Sequence, residues 1–250
     1  MPLRRRLLES EFALRAGRKL PAPVREVLKS IVLGRPRPRW GNLRRTSPFS
    51  ERFGADRGTP IDRIYIEDFL ARHAGDVRGE TLEVKDPGYT RRFGGSAVTK
   101  SDVLDVRPDN PEATIVADLG ERGSLPAARF DCFILTQTLE YVPEPAGALA
   151  NAWQALRPGG VLLVTVPTIT RVDWVKGQED LWRWTPAGLE RLLAQVLPEA
   201  ETEVRGHGNL LAATAFLLGL AAEELDQERL RLFDPLFVIL SSARVRKPSA

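Results

Sequence analysis

The chain has 250 residues, of which 43% are hydrophobic and 28% are charged, so it is long enough to bury one sizeable core. The single cysteine, Cys132, excludes an internal disulfide, and with only two histidines a metal cluster built on Cys or His is not expected. The net charge of +3 is unevenly distributed, because residues 1–45 hold 13 Lys/Arg against 3 Glu, a net charge of +10.

The basic leader, residues 1–45, points to an acidic surface. An anionic membrane or a protein partner would suit it, and a solvated arm is the alternative; the absence of interleaved aromatic residues argues against nucleic acid. No apolar run is long enough to cross a membrane, and the N-terminal residues lack the pattern of a secretory signal. We therefore expect a cytoplasmic protein, with peripheral membrane attachment through the leader.

The N-terminal part of the chain predicts a helical extension. Amphipathic spacing indicates one or two helices within residues 3–33, and the proline-rich stretch 34–45 indicates an extended linker. A loop then leads to Gly58. These features assign residues 1–58 to a basic N-terminal extension and residues 59–250 to a folded domain.

A change of pattern marks the folded domain. A helix is predicted over 61–73, with Thr59 or Asp62 as its N-cap. Short aliphatic runs predict strands at 81–84, 101–106, 113–119, 132–135, 161–167, 201–205 and 236–245. Further helices are predicted at 145–156, 185–196 and 210–225, the second with Thr185 as cap and Pro186 in its first turn. This alternation predicts an α/β domain with a mostly parallel sheet, whose last strand is antiparallel at the edge.

Polar residues stand at the predicted carboxyl ends of the strands, where open α/β sheets bind ligands. Asp105 and Asp118 suit a nucleoside, because a carboxylate accepts hydrogen bonds from ribose hydroxyls or from the exocyclic amine of an adenine. Each aspartate also suits a turn or a helix cap. The other polar or adjoining residues at these ends are Glu83, Lys85, Asp86, Gly88, Leu119, Thr136 and Gln137.

The stretch FDCFILTQTLEYVPEPAGALANAWQALRPGGVLLVTVP, residues 130–167, resembles the class I S-adenosylmethionine-dependent methyltransferases, specifically those called type 11. The similarity rests on Asp131 at the start of a strand, the pair Leu139-Glu140, and Leu-Arg-Pro-Gly-Gly before a strand that ends in Pro167. The resemblance implies a Rossmann-like seven-stranded sheet and S-adenosylmethionine as cofactor. It also implies that the strand-end residues named above bind that cofactor.

The first loop departs from the pattern of the family. Where a glycine-rich Glu-x-Gly-x-Gly-x-Gly stretch is usual, this chain has Glu83-Val84-Lys85-Asp86-Pro87-Gly88-Tyr89. Lys85 and Pro87 stand where two glycines are expected, and both restrict the turn. Arg91 and Arg92, just beyond it, are candidates for contacts with an anion. No Gly-x-Gly-x-x-Gly fingerprint follows the first strand, which argues against a dinucleotide-binding oxidoreductase.

Glu140 and His207 are the candidate bases for a hydroxyl acceptor, with Tyr141 as a third candidate. Trp182 and Trp184 would either wall an acceptor pocket or pack in the core. The leading hypothesis is a methyltransferase for a small-molecule acceptor, such as a sugar, glycan or natural-product hydroxyl. The alternative is a catalytically silent domain of the same fold that serves as a scaffold or glycosyltransferase partner in glycan assembly.

Overall fold

The computed structural model describes residues 21, 22, 24, 41–174 and 179–249. The helices predicted within 3–33 and most of the linker 34–45 fall outside the described residues. The chain divides into two compact units, Met1–Ser47 and Pro48–Ala250. In the first unit, Gly41–Arg44 form a single 3₁₀ turn.

Seven strands form one sheet in the order β3-β2-β1-β4-β5-β7-β6. They are β1 (Gly79–Val84), β2 (Val98–Asp105), β3 (Ile115–Val116), β4 (Phe130–Thr136), β5 (Leu156–Pro167), β6 (Glu201–His207) and β7 (Leu240–Arg246). The first five strands pair in parallel, and β7 pairs antiparallel with both β5 and β6. The predicted mostly parallel seven-stranded sheet is confirmed. The antiparallel strand is the last one in the chain, but it lies between β5 and β6, so that β6 takes the edge.

In the described part of the chain, five α-helices accompany the sheet, namely α1 (Ile61–Arg72), α2 (Pro145–Ala155), α3 (Pro186–Val196), α4 (Leu210–Leu218) and α5 (Gln227–Arg231). Helix α3 begins as predicted, because the Thr185 hydroxyl accepts a hydrogen bond from the N–H of Gly188. The predicted helix 210–225 is too long. It ends at Leu218 because Gly219 adopts a left-handed conformation, with φ at 70°.

The predicted N-caps of α1 are wrong. Pro60 takes the N-cap position and offers no side-chain hydrogen bond. The Thr59 hydroxyl instead donates to Glu223 at 2.6 Å, while Asp62 lies inside the first turn. Asp62 therefore does not cap α1, although the sequence predicts that it could.

Two hydrophobic clusters cover the two faces of the sheet. Helices α2 and α3 pack on one face with Leu82, Phe133, Leu135, Leu162 and Val164. Helices α1 and α4 pack on the other face with Cys132, Ile134, Val161 and Leu163. Because neighbouring residues of a strand point to opposite faces, Glu83, Thr136 and Thr165 share the face that α1 covers. Among the described residues, no helix is long and apolar enough to cross a membrane.

The segment just before α1 packs against the folded unit. The N–H of Phe49 donates to the carbonyl of Leu218 at 2.7 Å, and the Arg57 side chain pairs with Glu224. Glu223 accepts hydrogen bonds from both the backbone and the side chain of Thr59. Residues 48–59 are thus joined by specific contacts to the end of α4 and to the turn that follows it.

Candidate active site

The strand order reverses between β1 and β4, which makes the carboxyl ends of these two strands the expected ligand site of this sheet. The loop after β1 and the loop after β4 border this crevice. The start of α1 lies at the same edge, because Arg63 in its first turn donates a hydrogen bond to Tyr89 in the loop after β1.

Glu83 organises the first loop through its buried carboxylate. Its two oxygens accept hydrogen bonds from the N–H of Tyr89, at 3.0 Å, and from the N–H of Thr90, at 2.7 Å. Burial raises the pKa of Glu83, and the two N–H groups oppose that rise. The side chain predicted to touch the cofactor thus holds the turn Thr90–Gly94 against the end of β1.

Lys85 adopts a left-handed conformation, with φ at 77°, which L-residues other than Asn and Asp seldom adopt. Its N–H donates to the carbonyl of Leu104, and its own carbonyl accepts from the Asn110 side chain at 2.7 Å. Its side chain is exposed. The turn that a glycine would make is therefore present, and the lysine bears its conformational cost.

The rest of the first loop is held by local hydrogen bonds. Asp86 accepts from the N–H of Gly88 at 3.0 Å, and both residues are exposed. A Cβ at Gly88 would lie 2.8 Å from that aspartate oxygen. Pro87 is buried, and its carbonyl accepts from the N–H of Arg91. The side chains of Arg91 and Arg92 form ion pairs with Glu112 and Glu67 at the protein surface.

Asp105 and Asp118 stand at neighbouring strand ends but differ in their partners. Asp105 is 7% exposed and accepts from the N–H of Arg107, from Asn110 at 2.6 Å and, weakly, from the Arg107 side chain. Burial would raise the pKa of Asp105, but these donors outweigh it and the pKa lies below the usual range. Asp118 is exposed, and the one hydrogen bond that its side chain accepts from the described residues comes from the N–H of Gly120. Leu119 is a core residue.

The end of β4 turns sharply toward β5. Gln137 is left-handed, with φ at 45°, and its N–H donates to the carbonyl of Thr165 at 2.9 Å. Thr136 pairs in register with Thr165 and accepts from the Thr138 hydroxyl. The Thr165 hydroxyl is buried, and no described residue hydrogen-bonds to it. Strained backbone at a strand end of this kind is common at ligand sites.

Glu140 is the most unusual titratable group of the site. It is 4% exposed, and no described residue hydrogen-bonds to its Oε2 atom. Burial, together with the charge of Asp180, raises its pKa to about 8, and Arg183 opposes this rise. Its backbone carbonyl accepts from the N–H groups of Leu181 and Trp182. The N–H of Glu140 itself also opposes the rise in its pKa. A buried carboxyl with one unpartnered oxygen and such a pKa is typical of a functional site.

The structure does not bring His207 together with Glu140. His207 lies at the end of β6, and β5 and β7 separate that strand from β4. Three strand spacings amount to about 14 Å, beyond direct contact. The imidazole is buried and lies 2.7 Å from the Ser242 hydroxyl, and burial lowers its pKa to about 4. The ring is therefore neutral at physiological pH.

The aromatic candidates take different positions. Trp184 is a core residue that packs with the α2 and α3 cluster. Trp182 is 41% exposed, and its indole N–H donates to the carbonyl of Val142. The Tyr141 hydroxyl donates to Asp173, and burial raises the pKa of this tyrosine. Only Trp182, of the two tryptophans, is exposed enough to line a pocket.

Sequence reasoning missed three polar residues beside the crevice. Asp62 and Arg63 begin α1, and Arg63 donates to the Tyr89 hydroxyl at 2.7 Å. The Thr90 hydroxyl is buried and lies beside the Glu83 carboxylate. The signal in the sequence was the charged pair Asp62-Arg63 directly before the apolar Ile64, but the preference of Asp for helix N-termini led to its prediction as a cap.

Comparisons with known proteins agree with this architecture. A sequence profile described as a methyltransferase domain matches residues 97–164. No curated protein sequence matches the chain significantly.

Among solved structures, the N-methyltransferase NodS from Bradyrhizobium japonicum, solved with S-adenosyl-L-homocysteine, is 16% identical with a TM-score of 0.50; the match covers 83% of this chain and 95% of NodS. An S-adenosylmethionine-dependent methyltransferase from Mesorhizobium loti is 16% identical with a TM-score of 0.50, over 75% of this chain and 98% of that one.

The [4+2]-cyclase SpnF also has this fold, with 17% identity and a TM-score of 0.50 over 82% of this chain and 87% of that one. At such identities the likeness of the structures concerns the fold. The matched stretch runs from the start of β2 into β5 and contains the Leu139-Glu140 pair. Residues 97–164 thus match a profile described as a methyltransferase domain, and the chain has the fold of the class I S-adenosylmethionine-dependent methyltransferases.

Proposed function

We propose that this protein transfers a methyl group from S-adenosylmethionine to a hydroxyl of a small-molecule acceptor, such as a sugar, a glycan or a natural product. The observation that carries the proposal is Glu140, a buried carboxyl without a hydrogen-bond partner at Oε2, beside the crevice of a methyltransferase fold. Burying such a group costs stability, and a proton-transfer role accounts for that cost.

The residues around the crevice fit the cofactor. A carboxylate offers about four acceptor sites, so Asp105, which accepts from three donors, keeps one for a ribose hydroxyl. Asp118 has a free oxygen for an adenine amine. The buried hydroxyl of Thr165 also lacks a partner among the described residues. When bound, S-adenosylmethionine supplies an activated methyl group on a positively charged sulfur.

Glu140 would act on the acceptor as a general base. Its Oε2 atom takes the proton of the acceptor hydroxyl as that oxygen attacks. Because its pKa is about 8, a useful fraction is ionised near neutral pH, and the protonated form is stable once it has taken up the proton. The hydrogen bonds from Leu181 and Trp182 to the Glu140 backbone hold the neighbouring segment in place and help exclude water.

A catalytically silent domain is the second candidate, and a specific observation favours it. Lys85 and Pro87 replace two glycines of the first loop, and Pro87 offers no N–H to a ligand. Under this proposal the protein would serve as a scaffold in glycan assembly. Whether the protein is an active methyltransferase or a silent domain, its basic leader, residues 1–45, would attach it to an anionic membrane or to a glycosyltransferase.

Isothermal titration calorimetry with S-adenosylmethionine and S-adenosylhomocysteine separates the two candidates. We expect one site per chain for both ligands. Glu140→Gln should keep binding S-adenosylhomocysteine but lose methyl transfer at least about 100-fold in a mass-spectrometric assay over a panel of hydroxylated acceptors. Absence of binding by the parent protein would favour the silent domain.

A further inference from the structure

A polar cavity of about 440 Å³ lies at the amino edge of the sheet, opposite the crevice. Arg78 and Asp131 stand at the starts of β1 and β4, Gly159 lies near the start of β5, and Arg246 ends the antiparallel strand β7. The seven residues of β4 separate this edge from the crevice by about 20 Å. The cavity, which we call the amino-edge cavity, is therefore distinct from the candidate active site.

The two acidic side chains that line the amino-edge cavity are already paired. Arg244 donates to the Asp76 carboxylate from Nε, at 2.7 Å, and from Nη2, at 2.9 Å. Asp131 accepts from Nη1 of Arg157 and from the N–H of Glu80, both at 2.8 Å. Because arginines neutralise both acids, the cavity does not have the free carboxylates of a cation site.

Two further arginines on the wall of the cavity keep their donors. Arg78 is exposed, and its guanidinium forms no hydrogen bond or ion pair with any described residue. Arg246 approaches one acid, Glu201, at 3.7 Å, which is longer than a hydrogen bond. Since a guanidinium carries five N–H donors, most of the donors of Arg78 and Arg246 are free to bind a ligand.

The segment 247–249 folds back onto β5 and closes one side of the cavity. The N–H of Gly159 lies 3.0 and 3.1 Å from the carbonyls of Lys247 and Pro248 and donates to both. Gly159 is left-handed, with φ at 80°, and a Cβ at this position would lie 3.4 Å from the Ser249 hydroxyl. This turn places the Ser249 hydroxyl on the lining of the cavity, where it offers one more donor.

The size and the charges of the cavity indicate the class of ligand. Small-molecule sites occupy roughly 300–1,000 Å³, and the polar lining suits a hydrophilic molecule. Each arginine can bind two oxygens of one anion through its planar fork. A phosphate ester offers three terminal oxygens and nearly two negative charges, which suits two arginines better than the two oxygens and single charge of a carboxylate.

We propose that the amino-edge cavity binds a small hydrophilic phosphate ester, whose phosphate group lies between Arg78 and Arg246. This inference does not depend on the proposed methyl transfer, because it concerns the opposite edge of the sheet. It gives the protein a second ligand site, with arginine as the residue that recognises the anion.

The test is isothermal titration calorimetry on the full-length protein, in phosphate-free buffer at constant ionic strength. The probes are α-D-glucose 1-phosphate and inorganic phosphate, with glucose and glucuronate as the uncharged and the carboxylate comparisons. The variants are Arg78→Gln and Arg246→Gln. The matched control is Arg205→Gln, which removes the same charge from an exposed ion pair with Glu203 on β6.

The parent protein should bind α-D-glucose 1-phosphate at one site per chain, inorganic phosphate more weakly, and glucose and glucuronate not measurably. Each variant should lower the affinity for the sugar phosphate about tenfold or more, whereas the control should change it less than twofold. Arg78→Lys, which keeps the charge but not the planar fork, should also weaken binding. Because Arg78 has no partner to lose among the described residues, Arg78→Gln should keep the melting temperature of the parent.

Three results would overturn the inference. They are a parent protein that binds neither phosphate probe, equal affinity for glucuronate, and unchanged affinity in both variants, which would place the binding elsewhere, such as on the basic leader. An equal loss in Arg205→Gln would show a general effect of net charge and would overturn it too. A parent protein that binds the sugar phosphate but not S-adenosylhomocysteine supports this inference and counts against the proposed function.

Discussion

Replacing Glu140 by glutamine should stabilise the folded protein above about pH 5, although it removes the proposed base. Folding raises the pKa of this carboxyl from 4.5 to about 8, mainly by burial. Below pH 4.5, the Glu140 carboxyl is protonated in both the folded and the unfolded protein, so its burial does not lower the free energy of unfolding. As the pH rises toward 8, the unfolded state loses its proton more readily, so the stability associated with the protonated form is progressively lost.

The size of this effect follows from the shift. Each pKa unit corresponds to about 1.4 kcal/mol, so the full shift corresponds to about 5 kcal/mol above pH 8. This is an upper bound, because a buried glutamine amide also needs hydrogen-bond partners. We expect a gain of about 2–4 kcal/mol for Glu140→Gln at pH 8 and a negligible gain near pH 4.

The assay is urea unfolding followed by circular dichroism from pH 4 to pH 9. Glu144→Gln is the matched control, since Glu144 is exposed and lies four residues away. The charges that act on Glu140, those of Asp180, Arg183 and Asp62, are the same in both variants. A parent protein and a Glu140→Gln variant with parallel stability curves across this pH range would refute the reasoning.

Three further predictions concern the first loop, the strand ends and the leader. Lys85→Gly should unfold at a higher temperature than Lys85→Ala, by about 2–4 °C, because both remove the charge but only glycine relieves the left-handed strain; equal melting temperatures would contradict this. Asp105→Ala or Asp118→Ala should weaken S-adenosylhomocysteine binding by about 1–3 kcal/mol in calorimetry, and unchanged affinity in both would remove these residues from the site. Binding of the full chain to anionic vesicles should weaken steeply with salt and disappear in a variant that begins at Pro48, the start of the folded unit; salt-independent sedimentation with vesicles would exclude an electrostatic role for residues 1–45.

The sequence alone determined the features that depend on local pattern. The aliphatic runs located β4 and β5, and Thr185 with Pro186 located the start of α3, because side-chain periodicity and capping act over a few residues. The resemblance over residues 130–167 led to the methyltransferase fold, which the match over residues 97–164 confirms. The strand-end candidates remain predictions, since the structure shows their protein partners only.

Only the tertiary structure decided the features that depend on distant parts of the chain. The last strand inserts between β5 and β6, and this order also separates His207 from Glu140. Lys85 is left-handed because its backbone is held by Leu104 and Asn110, both distant in sequence. Asp62 reads as a helix cap in the sequence, yet it lies inside the first turn of α1 with one buried oxygen, Oδ1, unpartnered among the described residues, because the packing of α1 on the sheet fixes its surroundings.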